Sequence, residues 1–429
     1  MIAPALSQFR VEPQANGLVH LVFDCPGRTM NVFSNTAIHE LGRFAEWLHH
    51  ADVRGVVVRS GKPTGFCAGA DLTELGVAYA MIVAAPRADR FDLAFNHFFP
   101  LSHAIRRLET AGKPIAAAIA GVALGGGCEL ALGAHYRVAT TGRRAMLGLP
   151  ECAVGLLPGA GGTQRMPRLV GTEIGLDVLL RGRTLQGHEA LLTGLIDKLA
   201  AEGEEVTAAE AWLLSPVAHA VQPWDRQGHR ALTHRDIAQM IEFWRGQELT
   251  RMLGHEPAPL AILDCVELGL IQPIDGAIRA EMSVFAHLIQ RPEPRNMIRT
   301  MFLGKQAYDK AAREDTLGTE VAAASEQIVA MIVDAVAAHP KLRLAGFQRA
   351  QHDDAPLQDR CGTRFWVSDQ PDLSAVLNAL AHRIRAITAG ISAQKMLQLD
   401  HAVTRVGAIP AYLGGASGVV EMAGLDSAT

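Results

Sequence analysis

Two glutamates in the first half of the chain lie beside glycine-rich turns. Glu129 follows the glycines of GVALGGGCEL (residues 121–130), and Glu151 lies within LGLPECAVGLLPGAGGTQR (residues 147–165). Two carboxyl groups in one cleft can divide the work of general base and general acid. The neighbours of Glu129 are apolar, so its charge is costly to bury unless it has a partner or a task. For either glutamate, a solvated position on a helix face is the alternative.

Two glycine-rich segments have the composition of ligand-binding loops. They are GFCAGADL (residues 65–72) and GVALGGGCEL (residues 121–130), and each follows a short apolar run. Small residues let a ligand approach backbone N–H groups, and the second segment also opens a predicted helix, whose N-terminus favours negative charge. Two such donors directed at one oxygen would form an oxyanion hole. Packing alone also explains many such turns, and the dinucleotide fingerprint is absent from both segments.

Strand and helix patterns alternate around these loops. Helical spacing begins at Asn35 and recurs at residues 90–110. Short apolar runs predict buried strands at residues 20–24, 55–58, 115–119 and 136–139. This alternation indicates an α/β unit with largely parallel strand pairing.

Beyond about residue 207 the strand patterns become scarce. Residues 260–291 and 320–338 have helical spacing, and polar residues 351–372 predict a loop. The apolar face of the second helical segment must be buried; it comprises Ile328, Val329, Ile332, Val333 and Val336. We predict a core with the candidate site, a helical extension and a helical C-terminal domain, at residues 1–205, 206–312 and 313–429.

The composition excludes several classes of function. The chain has 40 basic and 44 acidic residues without a long basic run, so we expect no nucleic-acid partner. Its six cysteines form no C-x-x-C pair, which predicts no metal site and fits reduced cytoplasmic thiols. No secretory signal pattern opens the chain, and the longest apolar stretch, residues 114–127, is too short to span a bilayer. We therefore expect a cytoplasmic protein without a membrane span.

Three stretches resemble the crotonase (enoyl-CoA hydratase/isomerase) superfamily. They are RGVVVRSGKPTGFCAGADLTEL, KPIAAAIAGVALGGGCELALGAHYRVAT and LGLPECAVGLLPGAGGTQRMPRLVG, in the family's order and spacing. More narrowly, residues 11–310 are similar to the hydratase half of the fatty-acid oxidation complex α-subunit. The resemblance implies an α/β fold, a crotonase-type ββα superhelix, followed by helical C-terminal domains.

The resemblance implies a role for each candidate catalytic residue. In the family the thioester carbonyl accepts two backbone N–H bonds, which correspond here to Ala70 and Gly126. Glu129 corresponds to the base for the water that attacks C3, and Glu151 to the acid that protonates C2. These roles imply hydration of 2-enoyl-CoA to 3-hydroxyacyl-CoA. The same pair could instead move a proton between carbons, which is isomerisation.

The resemblance also implies where coenzyme A would lie. As part of the substrate it would follow the loop at residues 66–72, and no separate cofactor is implied. The family's C-terminal helix supplies an aromatic ring and a cation near coenzyme A; Phe302 and Lys305 correspond to these, although an exposed lysine is often only solubilising. The implied contacts on the loops are Ala68, Asp71, Leu72 and Gly125.

The tail departs from the α-subunit pattern. No strand followed by G-x-G-x-x-G occurs after residue 310, whereas RVGAIPAYLGGASG (residues 405–418) resembles the last helical domain of the dehydrogenase half. We interpret the tail as a helical remnant without the NAD-binding domain. His97 lies in a segment similar to a dehydrogenase motif, and we interpret it as a packing residue.

Three functions are consistent with the sequence. The first is an enoyl-CoA hydratase, and the second is another crotonase reaction, either double-bond isomerisation or thioester hydrolysis. The third is a non-catalytic subunit that docks a thiolase-like partner. Both glutamates are present, which favours hydration, and we expect a homo-oligomer.

Overall fold

The computed structural model describes residues 2–63, 65–142, 145–252, 254–348 and 371–424. These residues form two compact units. The first unit comprises residues 1–152, 156–241 and 261–290, and the second comprises residues 153–155, 242–260 and 291–429. The predicted boundaries near residues 205 and 312 both fall inside a unit, so the three-part division remains a prediction. Of the predicted loop at residues 351–372, residues 351–370 lie outside the described part of the chain.

Ten short strands form two sheets in the first unit. The strands are β1 (Phe9–Pro13), β2 (Leu18–Phe23), β3 (Gly55–Ser60), β4 (Gly65–Cys67), β5 (Ile115–Ile119), β6 (Val122–Leu124), β7 (Tyr136–Thr140), β8 (Met146–Gly148), β9 (Thr184–Gln186) and β10 (Lys198–Ala200). The larger sheet has the order β1-β2-β3-β5-β7-β10, and the smaller has the order β4-β6-β8-β9. Only the pairs β1–β2 and β8–β9 are antiparallel among the described strands.

From β3 to β8, consecutive strands alternate between the two sheets. Strands β3, β5 and β7 belong to the larger sheet, and each is followed by a short strand of the smaller sheet, namely β4, β6 and β8. A helix follows each such pair, which is the predicted crotonase-type ββα superhelix. Because β4, β6 and β8 are parallel neighbours, their carboxyl ends lie at one edge of the smaller sheet. The loops after these strands carry the candidate site.

Helices connect the strands of the first unit and recur throughout the second unit. They are α1 (Asn35–Leu48), α2 (Leu72–Ala84), α3 (Arg90–Glu109), α4 (Gly126–Leu132), α5 (Gly162–Val170), α6 (Thr172–Arg181), α7 (Gly187–Leu192), α8 (Glu205–Leu213), α9 (His234–Met252), α10 (Pro257–Leu270), α11 (Ile274–Leu288), α12 (Pro292–Met297), α13 (Gly304–Arg313), α14 (Thr319–Ala338), α15 (Pro371–Thr388), α16 (Ala393–Arg405) and α17 (Gly415–Met422). A 3₁₀ turn, Pro150–Val154, follows β8, and a π-helical turn, Ile298–Leu303, joins α12 to α13. The predicted helical C-terminal region is confirmed.

Helix α14 supplies much of the core of the second unit. Ile328, Ile332 and Val336 are buried there, together with apolar residues of α15, α16 and α17. By length and composition α14 is the one helix in the described residues that could cross a membrane, although acidic residues interrupt its apolar sequence. Of its predicted apolar face, Ile328, Ile332 and Val336 are buried, Val329 is partly buried, and Val333 is 44% exposed.

This packing predicts a graded response to substitution on α14. Ile328→Val removes one buried methylene, and we expect it to destabilise the second unit by about 0.5–1.5 kcal/mol. Val333→Ala, on the exposed side of the same helix, should stay within about 0.5 kcal/mol of wild type. Amide hydrogen exchange of peptides from residues 319–338 measures both. Equal exchange rates in the two variants would contradict the assigned buried face.

Candidate active site

Glu129 is buried in the short helix α4, which begins at the glycine run. The residue is 2% exposed, and its Oε1 accepts the N–H groups of Ala160 (2.7 Å) and Gly162 (2.8 Å). Both bonds go to the same oxygen, so one edge of the carboxyl group is fixed by the protein. Among the described residues Oε2 has no such backbone donors, which makes it the oxygen available for chemistry.

Glu151 belongs to the 3₁₀ turn that follows β8. Its Oε1 lies so near the glycine run that a Cβ on Gly125 would be only 2.7 Å from it. Its Oε2 is shielded from solvent and has no hydrogen-bond partner within the described residues. Gly125 has φ 52°, a left-handed conformation that other residues rarely adopt. Glycine at this position therefore lets the second carboxyl group approach the turn that carries the first.

The two carboxyl groups differ in how readily they lose a proton. Burial raises the pKa of Glu129 to about 7, although the two N–H bonds it accepts oppose that rise. Burial, and then the charge of Glu129, raises the pKa of Glu151 well above its usual range. Near neutral pH the pair therefore holds at least one proton, with Glu151 its preferred site. Two carboxyls with separated pKa values suit an acid and a base.

Two backbone N–H groups lie at the same sheet edge. Phe33 bonds to the carbonyl of Gly69 (2.8 Å) and accepts the N–H of Asp71 (3.0 Å), so the N–H of Ala70 points to the opposite side of this extended segment. Gly126 is the first residue of α4, where the N–H has no partner inside the helix. Neither N–H finds an acceptor in the described chain.

The two loops that carry these donors are in close contact. A Cβ on Gly69 would lie 3.1 Å from the carbonyl oxygen of Leu124 and 3.7 Å from the nitrogen of Gly126. The loop after β4 therefore packs directly on the loop after β6. Of the predicted site residues, the structure brings Ala70, Gly126, Glu129 and Glu151 together at the edge of the smaller sheet.

The remaining predicted loop contacts are on the same segment. Ala68 is exposed, and its N–H is already used by the carbonyl of Asn31 (2.9 Å). The carboxylate of Asp71 caps α2 and pairs with Arg28 at 2.5 Å. Leu72 is the half-buried first residue of α2. Contact of these residues with coenzyme A remains a prediction, and Asp71 already has a structural task.

The other predicted residues lie away from this loop in the chain. Phe302 and Lys305 belong to the second unit, where Phe302 is half-buried and Lys305 pairs with Asp309 on the surface. Their contact with coenzyme A remains a prediction. His97, in α3, packs its ring edge-to-face against Phe98, with 4.7 Å between the ring centroids.

The sequence profile of the enoyl-CoA hydratase/isomerase family matches residues 14–239. The chain belongs to this family. The fatty acid oxidation complex subunit alpha of Shewanella loihica is 36% identical over 298 residues, which are 69% of this chain and 41% of that protein. The protein of the same name from Shewanella halifaxensis is 33% identical over 297 residues, 68% of this chain and 40% of that one. The chain thus spans about two fifths of the length of these curated relatives.

The crystal structure of enoyl-CoA hydratase from Bacillus halodurans is 19% identical, with a TM-score of 0.48, over 68% of this chain and 99% of that one.

In this hydratase/isomerase family member a third buried carboxylate lies close enough to the catalytic pair to affect its pKa values, and the sequence did not reveal it. Glu281, in α11, is fully buried and accepts the N–H groups of Gly161 (2.6 Å) and Thr163 (2.9 Å). The sequence predicts only helical spacing for this region. The feature that could have identified Glu281 is its place as a single acidic residue on the apolar face of α11, between Ile278 and Phe285.

Proposed function

We propose that this chain hydrates 2-enoyl-CoA to 3-hydroxyacyl-CoA. The observation that carries the proposal is the pair of buried carboxyl groups, Glu129 and Glu151, beside two backbone N–H groups without acceptors in the described chain. Family membership supports acyl-CoA chemistry, and the relatives' names point to fatty acid oxidation.

In the proposed mechanism the thioester carbonyl accepts the N–H groups of Ala70 and Gly126. As the water oxygen bonds to C3, negative charge grows on the thioester oxygen, and the two donors bind this enolate better than the substrate. One donor of this kind typically contributes about 2.7–4 kcal/mol to the rate. Because these donors belong to strand-end loops packed on each other, they need little reorganisation during the reaction.

The two glutamates would move the protons. Glu129, ionised, takes a proton from the attacking water through Oε2 while Oε1 stays held by its two N–H donors. Glu151, protonated, delivers its proton to C2. After one turnover the proton sits on Glu129, and it must return to Glu151 before the next.

We also propose how the substrate is bound, where the protein acts and what it assembles with. Coenzyme A would follow the loop of Ala68, Asp71 and Leu72 past Gly125, with Phe302 and Lys305 as further contacts, and no other cofactor would be needed. A cytoplasmic location and a homo-oligomer are part of it. A thiolase-like partner is included because the relatives are named as subunits of a complex.

The pH dependence of hydration tests the proposal. We expect kcat/KM, followed by loss of the conjugated thioester absorbance, to rise as the pH passes through about 7, where Glu129 ionises. It should fall again at higher pH, where Glu151 loses its proton. The two limbs report the coupled pair rather than either residue alone.

A substrate comparison separates the competing reactions. A 3-enoyl-CoA, in which the double bond is not conjugated, is the matched control. Conversion of this control with no hydration of 2-enoyl-CoA would make isomerisation the function. Release of free thiol from either substrate would indicate thioester hydrolysis.

A further inference from the structure

One turn of the first unit lies between two buried carboxylates. It comprises residues 160–163, at the start of α5. Its first and third N–H groups donate to Oε1 of Glu129, at 2.7 and 2.8 Å. Its second and fourth N–H groups donate to the two oxygens of Glu281, at 2.6 and 2.9 Å, and the hydroxyl of Thr163 adds a third bond at 2.5 Å. Four consecutive peptide units are thus divided alternately between the candidate base and a carboxylate on α11.

The turn has little freedom to take another shape. Gly161 has φ 97°, and a Cβ on Gly162 would lie 2.9 Å from Oε1 of Glu129. The carbonyl of Ala160 accepts a hydrogen bond from Arg165 at 2.9 Å. The N–H groups of this turn point alternately to Glu129 and to Glu281. A rotation of the turn that broke its bonds to Glu281 would therefore also break its bonds to Glu129.

We propose that Glu281 is a positioning residue of the acid–base site, which holds turn 160–163 so that its N–H groups fix the carboxyl group of Glu129. This inference rests on the proposed hydratase function, and it extends that function to a residue that touches neither the candidate base nor the backbone donors of the oxyanion hole.

The charges around Glu281 also link it to the catalytic pair. Burial, and then the charge of Glu129, raises the pKa of Glu281 to about 8. Its charge in turn contributes to the raised pKa of Glu151. The titratable and charged groups that face Glu281 from the surrounding elements are Glu129, Glu151, Arg165, Arg168 and Cys265. Arg165 is itself paired with Glu109, so it only partly offsets the carboxylates.

Glu281→Gln tests the role directly. The amide keeps the shape of the side chain but loses the ionisable carboxyl group and one of its two acceptor oxygens. We expect kcat to fall by roughly ten- to a hundredfold because the base is less well held, with KM changed by less than about twofold. The acid limb of kcat/KM should move to higher pH, because the N–H groups of Ala160 and Gly162, which oppose the rise in the pKa of Glu129, are held less firmly.

Two further variants separate positioning from a general loss of structure. Glu281→Asp keeps a carboxyl group with both acceptor oxygens, so it should leave the acid limb of kcat/KM nearer its wild-type position while recovering part of kcat. Ser283→Ala is the matched control on the same helix, since its hydroxyl bonds only to the carbonyl of Arg279 in the described structure. It should behave as wild type. If Glu281→Gln does not fold, Thr163→Val removes one donor to Glu281 and should lower kcat in the same way, to a smaller extent.

The outcomes are distinguishable. A folded Glu281→Gln variant with wild-type kcat and pH profile, or a lower kcat with an unmoved acid limb, would overturn the positioning role while leaving hydration intact. If wild type does not hydrate 2-enoyl-CoA, the proposed function fails, and titration of the Glu129 carboxyl by NMR of ¹³C-labelled glutamate still tests the inference. Its pKa should be higher in Glu281→Gln than in wild type, because the N–H donors that favour the ionised Glu129 are held less firmly, with Glu129→Gln used to assign the signal. An unchanged pKa would reject the positioning role.

Discussion

Glu129→Gln is expected to lower the turnover of 2-enoyl-CoA by roughly 10²–10⁴-fold, the range of general acid–base catalysis. The glutamine oxygen can still accept the N–H groups of Ala160 and Gly162, so the fold should survive while the base is lost. Glu151→Gln should cost a similar factor, because its amide cannot deliver a proton to C2. Initial rates at saturating substrate, with circular dichroism as the check on folding, measure both effects.

The two variants should differ in their pH profiles. Residual activity of Glu129→Gln should lose the acid limb, and that of Glu151→Gln should lose the alkaline limb. The double variant should be little worse than either single one, since residues that act as a unit are not additive. Near-normal hydration by either single variant would remove the mechanism proposed here.

Glu129→Gln should also change how stability depends on pH. Folding raises the pKa of Glu129 from 4.5 to about 7, so the folded state binds this proton more tightly than the unfolded state. Its contribution to stability is therefore fully present below about pH 4.5 and is lost as the pH rises through about 7. The variant, which has no proton to lose, should show a flatter melting temperature across that window.

Arg165→Met is the substitution with the largest expected effect on stability. Arg165 and Glu109 are both fully buried, and two N–O contacts of 2.6 and 2.9 Å join them. Removing one partner of a buried ion pair leaves an uncompensated charge, which typically costs about 3–5 kcal/mol. The loss here falls toward the lower end, because Arg106 also contacts Glu109 at 3.2 Å. Urea unfolding of the purified variant gives the value.

Two controls define this prediction. The double variant Glu109→Gln/Arg165→Met removes both charges and should recover part of the loss. Arg183→Met removes the exposed ion pairs of Arg183 with Asp177 and Glu189 and should cost no more than about 1 kcal/mol. If Arg165→Met is as mild as Arg183→Met, the buried pair contributes little to the first unit.

The strands were predictable in proportion to their length and apolar content. The runs at residues 55–58, 115–119 and 136–139 correspond to β3, β5 and β7, which are buried in the larger sheet. The strands β4, β6, β8 and β9 have three residues each, too few for alternation or an apolar run to be recognised. Their existence was implied only through the family resemblance.

The sequence by itself determined the local chemistry of the candidate site. Glycines at residues 125–127 identify a turn that only small residues can form, and the apolar neighbours of Glu129 identify a carboxyl group that needs a partner. Only the tertiary structure decided what that partner is. The donors from turn 160–163 lie 31 and 33 positions from Glu129, and Glu281 lies 118 and 120 positions from the N–H groups it accepts. No local period connects such residues, because hydrogen bonds between them form only after the sheets and α11 have packed together.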